Sequence, residues 1–345
     1  MLEPWREEAH RQLMILLARE GQRSAALMQY QKCRQALRNE LGVEPTAETV
    51  TLLEQIRDVS FPSFSSAPVL PQFSTPFVGR EEERAALHDL LANPDCRIVT
   101  LIGPGGIGKS RLALQVAQEQ LGLFQHGIAF VPLAAINSTE LLIAALMEVL
   151  NIPARGQSLK AQVLDYLREK AMLLVLDNFE QLLDSASVLM DVLRAARGVV
   201  LLVTSRERLN LREEWVYTVG GLTYPKDDVT PDINHSAVTL FVQRAQQAGA
   251  ECVGGSPGGA VTSPITEPHT VSEQRAIARV CRLVEGMPLA VELAAALTAV
   301  RTCEDIAEEI ERNLDILTTR LRNMPPRHRS IRAAFEHSWE LLSGE

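Results

Sequence analysis

The sequence of 345 residues predicts an α/β core with a helical segment before it and another after it. From residue 77 to about 224, short β-branched runs alternate with amphipathic helical runs, a pattern typical of a parallel sheet with helices on both faces. At 1–58 the apolar residues recur at helical spacing only. From 225 to 320 the strand pattern disappears and helical runs continue.

The first segment reads as a helical hairpin. Two apolar stripes are separated by a break at Gly21, and Thr46 is placed to cap a third short helix. A hairpin of about 34 residues resembles one tetratricopeptide-type repeat, although an ordinary helical cap on the next domain is the alternative. Residues 59–76 hold four prolines, five serines and no charge, which predicts an extended linker.

The core and the region after it divide into candidate elements. We expect strands at 97–102, 128–133, 172–176, 199–204 and 216–219, with helices at 80–92, 109–121, 139–150, 158–170 and 180–196. Further helices are predicted at 236–249, 272–285, 288–301 and 303–317, the second of them behind a capping box of Thr270 and Glu273. A Gly/Ser/Pro-rich loop is expected at 250–269. A last helix is expected at 329–342, within the final segment at 321–345.

The overall composition excludes several functional classes. A net charge of −9 argues against broad binding to a nucleic-acid backbone, which needs an excess of Lys and Arg. The five cysteines are scattered and lack any CxxC spacing, so neither a disulfide framework nor a zinc site is expected. No apolar run reaches the roughly 18–20 residues of a membrane helix. We therefore expect a cytoplasmic protein with no membrane association.

The clearest chemical signal is the octapeptide GPGGIGKS at 103–110, a full match to GxxxxGK[ST]. It follows a predicted strand and precedes a predicted helix, which is the context of a phosphate-binding loop. Glycines let successive N–H groups point at one anion, and the helix adds its positive end. Lys109 would then reach the β- and γ-phosphates and Ser110 would hold Mg²⁺. A glycine loop formed by chance is the alternative.

A second signal is the apolar run that ends in Asp177. An acidic residue at the end of such a strand serves Mg²⁺ in phosphate-loop folds, whereas the alternative is a cap on the next helix. The strand at 128–133 intervenes in the chain, which suggests the class with an extra strand between these two. Asn178 stands where many such ATPases have a glutamate, and an amide cannot accept a proton from water. We therefore expect slow hydrolysis.

A third signal is the run LLVTSR, which ends in Arg206. Nucleotides bind at the carboxyl edge of a parallel sheet, so Arg206 could contact a γ-phosphate there in bidentate fashion. A surface salt bridge is the alternative for this guanidinium. Weaker signals flank the core: FVGRE at 77–81 and GMPL at 286–289, where proline suits the first turn of a helix.

Five motifs together resemble the STAND/NB-ARC class of signal-transduction ATPases: FVGRE, GPGGIGKS, LLVLDNFE, LLVTSRERL and EGMPLAVELAA, in that order. The resemblance covers residues 77 to about 320. Residues 1–57 look like the C-terminal part of a bacterial transcriptional activator domain. The resemblance implies that 321–345 are the start of a truncated winged-helix domain. Such regulators are large, so it also implies that this chain is a fragment or a truncated reading frame, without the upstream DNA-binding domain, the rest of the winged helix and the sensor repeats.

The resemblance also implies roles for individual residues. Pro288 would lie against the nucleobase, Val78 and Arg80 would line the adenine end, and Lys109, Asp177 and Arg206 would act at the phosphates. The expected nucleotide-binding set is Val78, Arg80, Gly103, Gly105, Gly106, Ile107, Gly108, Lys109, Ser110, Arg111 and Pro288, with Ser110 and Asp177 as the Mg²⁺ ligands.

The function expected from these residues is an ATP/ADP-binding switch, at most a weak ATPase, in which 225–320 form a lid on the core. Partners would be proteins or further copies of the chain, with DNA reached only through domains outside it. Two rivals remain: an ATPase with fast turnover, and a helical interaction scaffold whose phosphate loop is vestigial.

Overall fold

A computed structural model describes residues 7–19, 23–43, 45–46, 49–50, 52–53, 70–153, 158–226, 234–249 and 271–318. These residues belong to two compact units, Met1–Val69 with Leu146–Tyr166 and Leu70–Ala145 with Leu167–Glu345. None of the helices among the described residues is long and apolar enough to cross a membrane. The predicted loop at 250–269, the capping residue Thr270 and the segment 321–345 lie outside the described residues, as does most of the predicted linker.

The start of the first unit is the predicted helical hairpin. Helix α1 spans Glu7–Arg19 and helix α2 spans Arg23–Leu41, and the two pack against each other with Met14, Cys33 and Leu37 buried. The carboxylate of Glu7 accepts hydrogen bonds from the N–H of Thr46, at 2.7 Å, and from its hydroxyl, at 2.8 Å. The carbonyl of Thr46 accepts from the N–H of Val50 at 3.1 Å, which starts a further helical turn at the predicted place.

The core contains a five-stranded parallel sheet. The strands are β1 Ile98–Ile102, β2 Ile128–Pro132, β3 Met172–Asp177, β4 Val199–Ser205 and β5 Trp215–Thr218, in the order β2-β3-β4-β1-β5. An extra strand does separate β1 from β3, as expected. That strand is β4, from later in the chain, whereas β2, which intervenes in sequence, lies at the edge.

Both faces of the sheet are covered, which explains why its strands are nearly continuous apolar runs. Val99, Val175 and Leu202 share one apolar cluster with helices α3 and α4, whereas the alternate residues Leu174 and Leu201 are equally buried from the other face. The helices of the second unit around the sheet are α3 Glu81–Ala92, α4 Lys109–Glu119 and α7 Ser187–Ala195, the last of which contacts β4. Helix α5, Thr139–Val149, crosses the boundary between the two units along the chain, and helix α6, Leu159–Leu167, belongs almost wholly to the first unit.

The region after the sheet is helical, as predicted, and has its own apolar cluster. Its helices are α8 Ser236–Gln247, α9 Val271–Leu283, α10 Pro288–Leu297 and α11 Cys303–Arg312, and a short 3-10 turn follows at Leu314–Ile316. Helix α8 packs on α10 and α9 packs on α11. We refer to α8–α11 as the lid.

One predicted helix, 180–196, is in fact two segments. A 3-10 segment spans Phe179–Ser185 and α7 begins at Ser187. Asn178 enters this segment in the left-handed conformation with φ 66°, and Leu182 departs from helical geometry with φ −121°. Apolar spacing does not reveal such a backbone change, so the sequence predicted one continuous helix.

The backbone just after β5 lies in close contact with the backbone of the turn before α10. The N–H of Leu222 donates to the carbonyl of Gly286 at 2.8 Å, and Gly286 has φ 64°. A Cβ atom at this position would overlap the carbonyl oxygen of Leu222, which is backbone and cannot rotate away. Glycine is therefore required here both for its conformation and for the close approach.

We predict that Gly286→Ala lowers the free energy of unfolding by about 3 kcal/mol or more, because strain and a backbone clash add. Gly249→Ala is the matched control, since Gly249 has φ 76° but nothing within 4 Å of an added Cβ. The control should lose only about 1 kcal/mol in the same urea titration. An equal loss of unfolding free energy in the two variants would contradict a close backbone contact between Leu222 and Gly286.

Candidate functional site

The glycine loop lies between the end of β1 and the start of α4, as the sequence predicts. Gly106 and Gly108 have φ 80° and 94°, which favours glycine at both positions. Gly108 is the N-terminal cap of α4, so the first N–H groups of that helix have no acceptor within it. The loop and the helix end together form a concave set of donors suited to an anion.

Lys109 is folded back onto this loop. Its ammonium group donates to the carbonyl of Gly103 at 2.7 Å and to that of Pro104 at 3.1 Å. The residue is only 8% exposed, and burial lowers the pKa of its ammonium group to about 8. The charges of Glu180 and Asp177 raise this pKa, whereas that of Arg206 lowers it further. The site thus holds a buried cation whose desolvation is only partly compensated.

Asp177 ends β3 beside the neighbouring strand β4, and it is buried. The hydroxyl of Thr204 donates to the Asp177 carboxylate at 2.7 Å and accepts the N–H of Asn178 at 2.9 Å. Thr204 therefore fixes both the carboxylate and the turn that follows it. Because the strands are parallel, their carboxyl ends bring these groups to the edge of the sheet where the glycine loop lies.

The turn after Asp177 brings a second carboxylate into the site. Glu180 accepts from the guanidinium of Arg206 at 3.2 Å and from the side-chain amide of Asn178 at 3.1 Å. Glu180 is buried, with a side chain that is 5% exposed, and the side chain of Arg206 is 11% exposed. Arg206 therefore does form a salt bridge, as the alternative had it, but with a buried partner and not at the open surface.

Arg80 fixes the loop from the other side. It has the unusual φ of 68° for a residue other than glycine, and it is 6% exposed. Its guanidinium donates to the carbonyl of Ile107 at 2.7 Å and to that of Gly220 at 3.0 Å, and it also binds Glu83 at 3.1 Å. Burial lowers the pKa of this group, so these contacts offset a real desolvation cost.

Arg111 follows the loop lysine and serine but its side chain is engaged elsewhere. Its guanidinium donates to the carbonyl of Thr75 at 2.6 Å and to the Thr75 hydroxyl at 2.9 Å, and it lies 5.1 Å from the ring centroid of Phe73. It also approaches Glu292 of α10 at 3.9 Å, and Glu292 is bound by Arg244 of α8 at 3.0 Å. These charges connect α4 with the lid.

The lid meets the loop directly. The N–H of Leu289 donates to the carbonyl of Gly106 at 3.3 Å, and a Cβ atom on Gly106 would lie 2.8 Å from a methyl carbon of Leu289. Pro288 is the first residue of α10 and lies close to Gly108. Val78 packs against the apolar cluster of the lid.

The structure thus brings most of the predicted residues to one place, where loop, strand ends and lid meet. Three contributors were not predicted as site residues: Glu180, Thr204 and Leu289. Two of them had a signal in the sequence, a hydroxyl at the end of β4 and a carboxylate just after Asn178. Leu289 lies in the GMPL motif, but its contact with Gly106 could not be predicted, because it joins residues far apart in the chain.

Comparison with known proteins assigns the two parts of the chain. Residues 1–57 match the bacterial transcriptional activator domain, and residues 76–203 match the AAA ATPase domain. The chain thus has one segment similar to each of these two domains, in this order along the sequence. The residues that surround the glycine loop up to β4 lie within the matched part of the AAA ATPase domain.

Two named relatives are similar to most of this chain. A Mycobacterium tuberculosis protein named as an HTH-type transcriptional regulator is 30% identical over 249 residues, which are 72% of this chain and 25% of that protein. The regulatory protein AfsR of Streptomyces griseus is 27% identical over 322 residues, 86% of this chain and 30% of AfsR. The chain therefore spans about a quarter to a third of the length of these relatives.

A third relative and one solved structure are similar as well. An uncharacterized protein of Mycobacterium tuberculosis is 30% identical over 272 residues, 78% of this chain and 63% of that protein. A STAND protein with a tetratricopeptide repeat sensor from Pyrococcus horikoshii is 15% identical with a TM-score of 0.40, covering 72% of this chain and 34% of that one. The fold described above rests on the strand order and register, independently of that distant likeness.

The residues of the AAA ATPase domain fit a nucleotide with Mg²⁺. The loop supplies glycines with positive φ and helix-terminal donors, and Lys109 supplies a buried cation beside it. Ser110 and Asp177 are the oxygen donors that a hard cation prefers. One oxygen of the Glu180 carboxylate is buried and has no hydrogen-bond partner among the described residues, which is consistent with a pocket built for further contacts.

The lowered pKa of Lys109 predicts how stability changes with pH. The folded protein, with a pKa near 8, releases this proton before the unfolded chain, whose ordinary value is 10.5. The destabilising effect is therefore complete below pH 8 and disappears as the pH rises toward 10.5. We expect the nucleotide-free protein to gain about 2–3 kcal/mol relative to Lys109→Met between pH 7 and pH 10, measured by urea unfolding. Parallel pH profiles of the two proteins would contradict it.

Proposed function

We propose that this chain is the nucleotide-operated switch of a bacterial transcriptional regulator of the STAND/NB-ARC kind. The AAA ATPase domain binds ATP or ADP with Mg²⁺, and the lid responds to which nucleotide is bound. The observation that carries the proposal is the hydrogen bond between the carbonyl of Gly106 and the N–H of Leu289. Through this bond the first turn of α10 is in direct contact with the phosphate loop.

Each predicted residue has a place in this proposal. The loop N–H groups and Lys109 hold the phosphates, and Ser110 and Asp177 hold Mg²⁺. Arg206 faces the γ-phosphate position. Pro288, Val78 and Arg80 lie at the nucleobase end, where Arg80 contributes through its main chain because its guanidinium is bound to Ile107 and Gly220.

Transmission to the lid follows from the tight contacts at Gly106. A shift of the loop carbonyl by a few tenths of an ångström would break its bond to Leu289 or push against that side chain, which is buried in the lid cluster. Packed cores respond to such shifts by moving as units. The network of Arg111, Glu292 and Arg244 is the second connection that such a movement would change.

Hydrolysis in this proposal is slow. Position 178 holds an amide, which cannot accept the proton of an attacking water. The nearby carboxylate of Glu180 is neutralised by Arg206 and bound by Asn178. A slow site keeps the nucleotide long enough to define a state, which suits a switch better than a motor.

The relatives also support a proposal about the partners of the whole protein. We propose that the helical segments bind proteins or further copies of the chain, and that DNA contact belongs to domains outside this sequence. The net charge of −9 is consistent with that division.

The first test is the nucleotide content of the purified chain. The protein is purified without added nucleotide and denatured, and the released nucleotide is identified by chromatography. We expect close to one ADP per chain, lost in Lys109→Ala because the phosphates lose a buried cation. Lys226→Ala is the control, since Lys226 is exposed and should leave the content unchanged.

The outcome decides between the proposal and its rivals. Protein that contains no nucleotide and also fails to bind added ATP or ADP would contradict nucleotide binding and support a scaffold. A turnover of roughly 1–100 s⁻¹, typical of kinases, would contradict the slow site.

A second test addresses the switch itself. Small-angle scattering of the full chain with Mg–ADP and with a non-hydrolysable ATP analogue should give different radii of gyration, because the γ-phosphate changes the contacts at the loop. Lys109→Ala should give one profile in both solutions. Identical profiles for the unmodified protein, at saturating nucleotide, would contradict a nucleotide-dependent lid.

A further inference from the structure

Glu180 is a buried carboxylate with an unusual set of contacts. One oxygen accepts from Arg206 at 3.2 Å and from Asn178 at 3.1 Å, and the other has no hydrogen-bond partner within the part of the chain that the structure describes. The side chain is 5% exposed. Burying a carboxylate with one oxygen unpartnered is costly, so the ion pair with Arg206 is needed to offset that cost.

The position of Glu180 relative to the phosphate loop is informative. Among the carboxylates that act on the charge of Lys109, Glu180 is the strongest and Asp177 the second. Glu180 therefore lies near the ammonium group of Lys109, which the proposed function places at the phosphates. Arg206, which ends the neighbouring strand, is bound to this carboxylate in the structure. The guanidinium thus already has an anionic partner without any nucleotide.

We propose that Glu180 competes with the γ-phosphate for Arg206 and so makes the site prefer a nucleoside diphosphate to a triphosphate. The inference rests on the proposed function, since it needs a nucleotide on the glycine loop. With a diphosphate, Arg206 keeps Glu180 as its partner. With a triphosphate, Arg206 leaves Glu180 and turns to the γ-phosphate, and Glu180 keeps only the amide of Asn178.

Charge balance gives the direction of the effect. Breaking a buried ion pair leaves one charge without compensation, which is expensive in a site of low dielectric constant. Arg206 can repay this only through its new contact with the triphosphate. Glu180, Arg206 and Asp177 all act on the charge of Lys109, and the guanidinium of Arg206 is hydrogen-bonded to Glu180. The exchange of partners thus penalises ATP and not ADP.

The decisive variant is Glu180→Gln, which keeps the size of the side chain and removes its charge. Dissociation constants for Mg–ADP and Mg–ATP are measured by calorimetry for the full chain and for the variant. We expect the ATP constant to fall about tenfold or more relative to the ADP constant, because Arg206 becomes available to the γ-phosphate. Asp184→Asn is the control, since Asp184 is an exposed carboxylate in the same 3-10 segment and should leave the ratio unchanged.

A double-variant comparison separates competition from a general change in charge. In an Arg206→Ala background, Glu180→Gln should no longer shift the ratio, because the contested guanidinium is absent. Circular dichroism and urea unfolding establish that each variant is folded.

Each outcome has one meaning. An unchanged ratio in Glu180→Gln, an equal shift in Asp184→Asn, or a shift that persists without Arg206 would overturn the inference while leaving nucleotide binding intact. Failure of the unmodified protein to bind either nucleotide would instead overturn the proposed function.

Discussion

The hydrogen bond from the N–H of Leu289 to the carbonyl of Gly106 is the contact on which the rest of the site depends. It requires glycine at 106, because a Cβ atom there would press on Leu289. It also places Pro288 near Gly108, so that the N-terminal end of α10 lies next to the N-terminal cap of α4. Phosphate loop and lid are thereby one packed surface, and a change in either alters the other.

The electrostatics of the site follow from the same burial. Lys109, Arg206 and Arg80 are all removed from solvent around one loop, and each is compensated by a different kind of partner. Lys109 has backbone carbonyls, Arg206 has a carboxylate, and Arg80 has both. Arg80 therefore serves the loop's shape, whereas the cations at 109 and 206 could exchange their present partners for an anion. That difference separates a structural guanidinium from groups able to respond to a ligand.

Much of the fold could be predicted because burial on both faces turns the strands into continuous apolar runs, and β1 to β5 lie within one or two residues of their expected positions. The glycine loop was predictable because few other sequences give that backbone. An extra strand between β1 and β3 was predicted, but that this strand is β4 was not, because it depends on pairing between distant segments. The pair of Arg206 and Glu180 was missed for a related reason: it depends on the left-handed turn at Asn178.

Asn178 accounts for two features of the site, the missing proton acceptor at position 178 and the left-handed turn after Asp177. Asparagine tolerates positive φ better than glutamate does, so the residue that removes a proton acceptor from position 178 also permits the turn that follows Asp177. That turn returns Glu180 to the site, where the amide of Asn178 binds it and Arg206 neutralises it. A carboxylate is therefore present, with one of its oxygens bound by both groups. Within the proposed function, slow hydrolysis and preference for a diphosphate would then both depend on the asparagine at position 178.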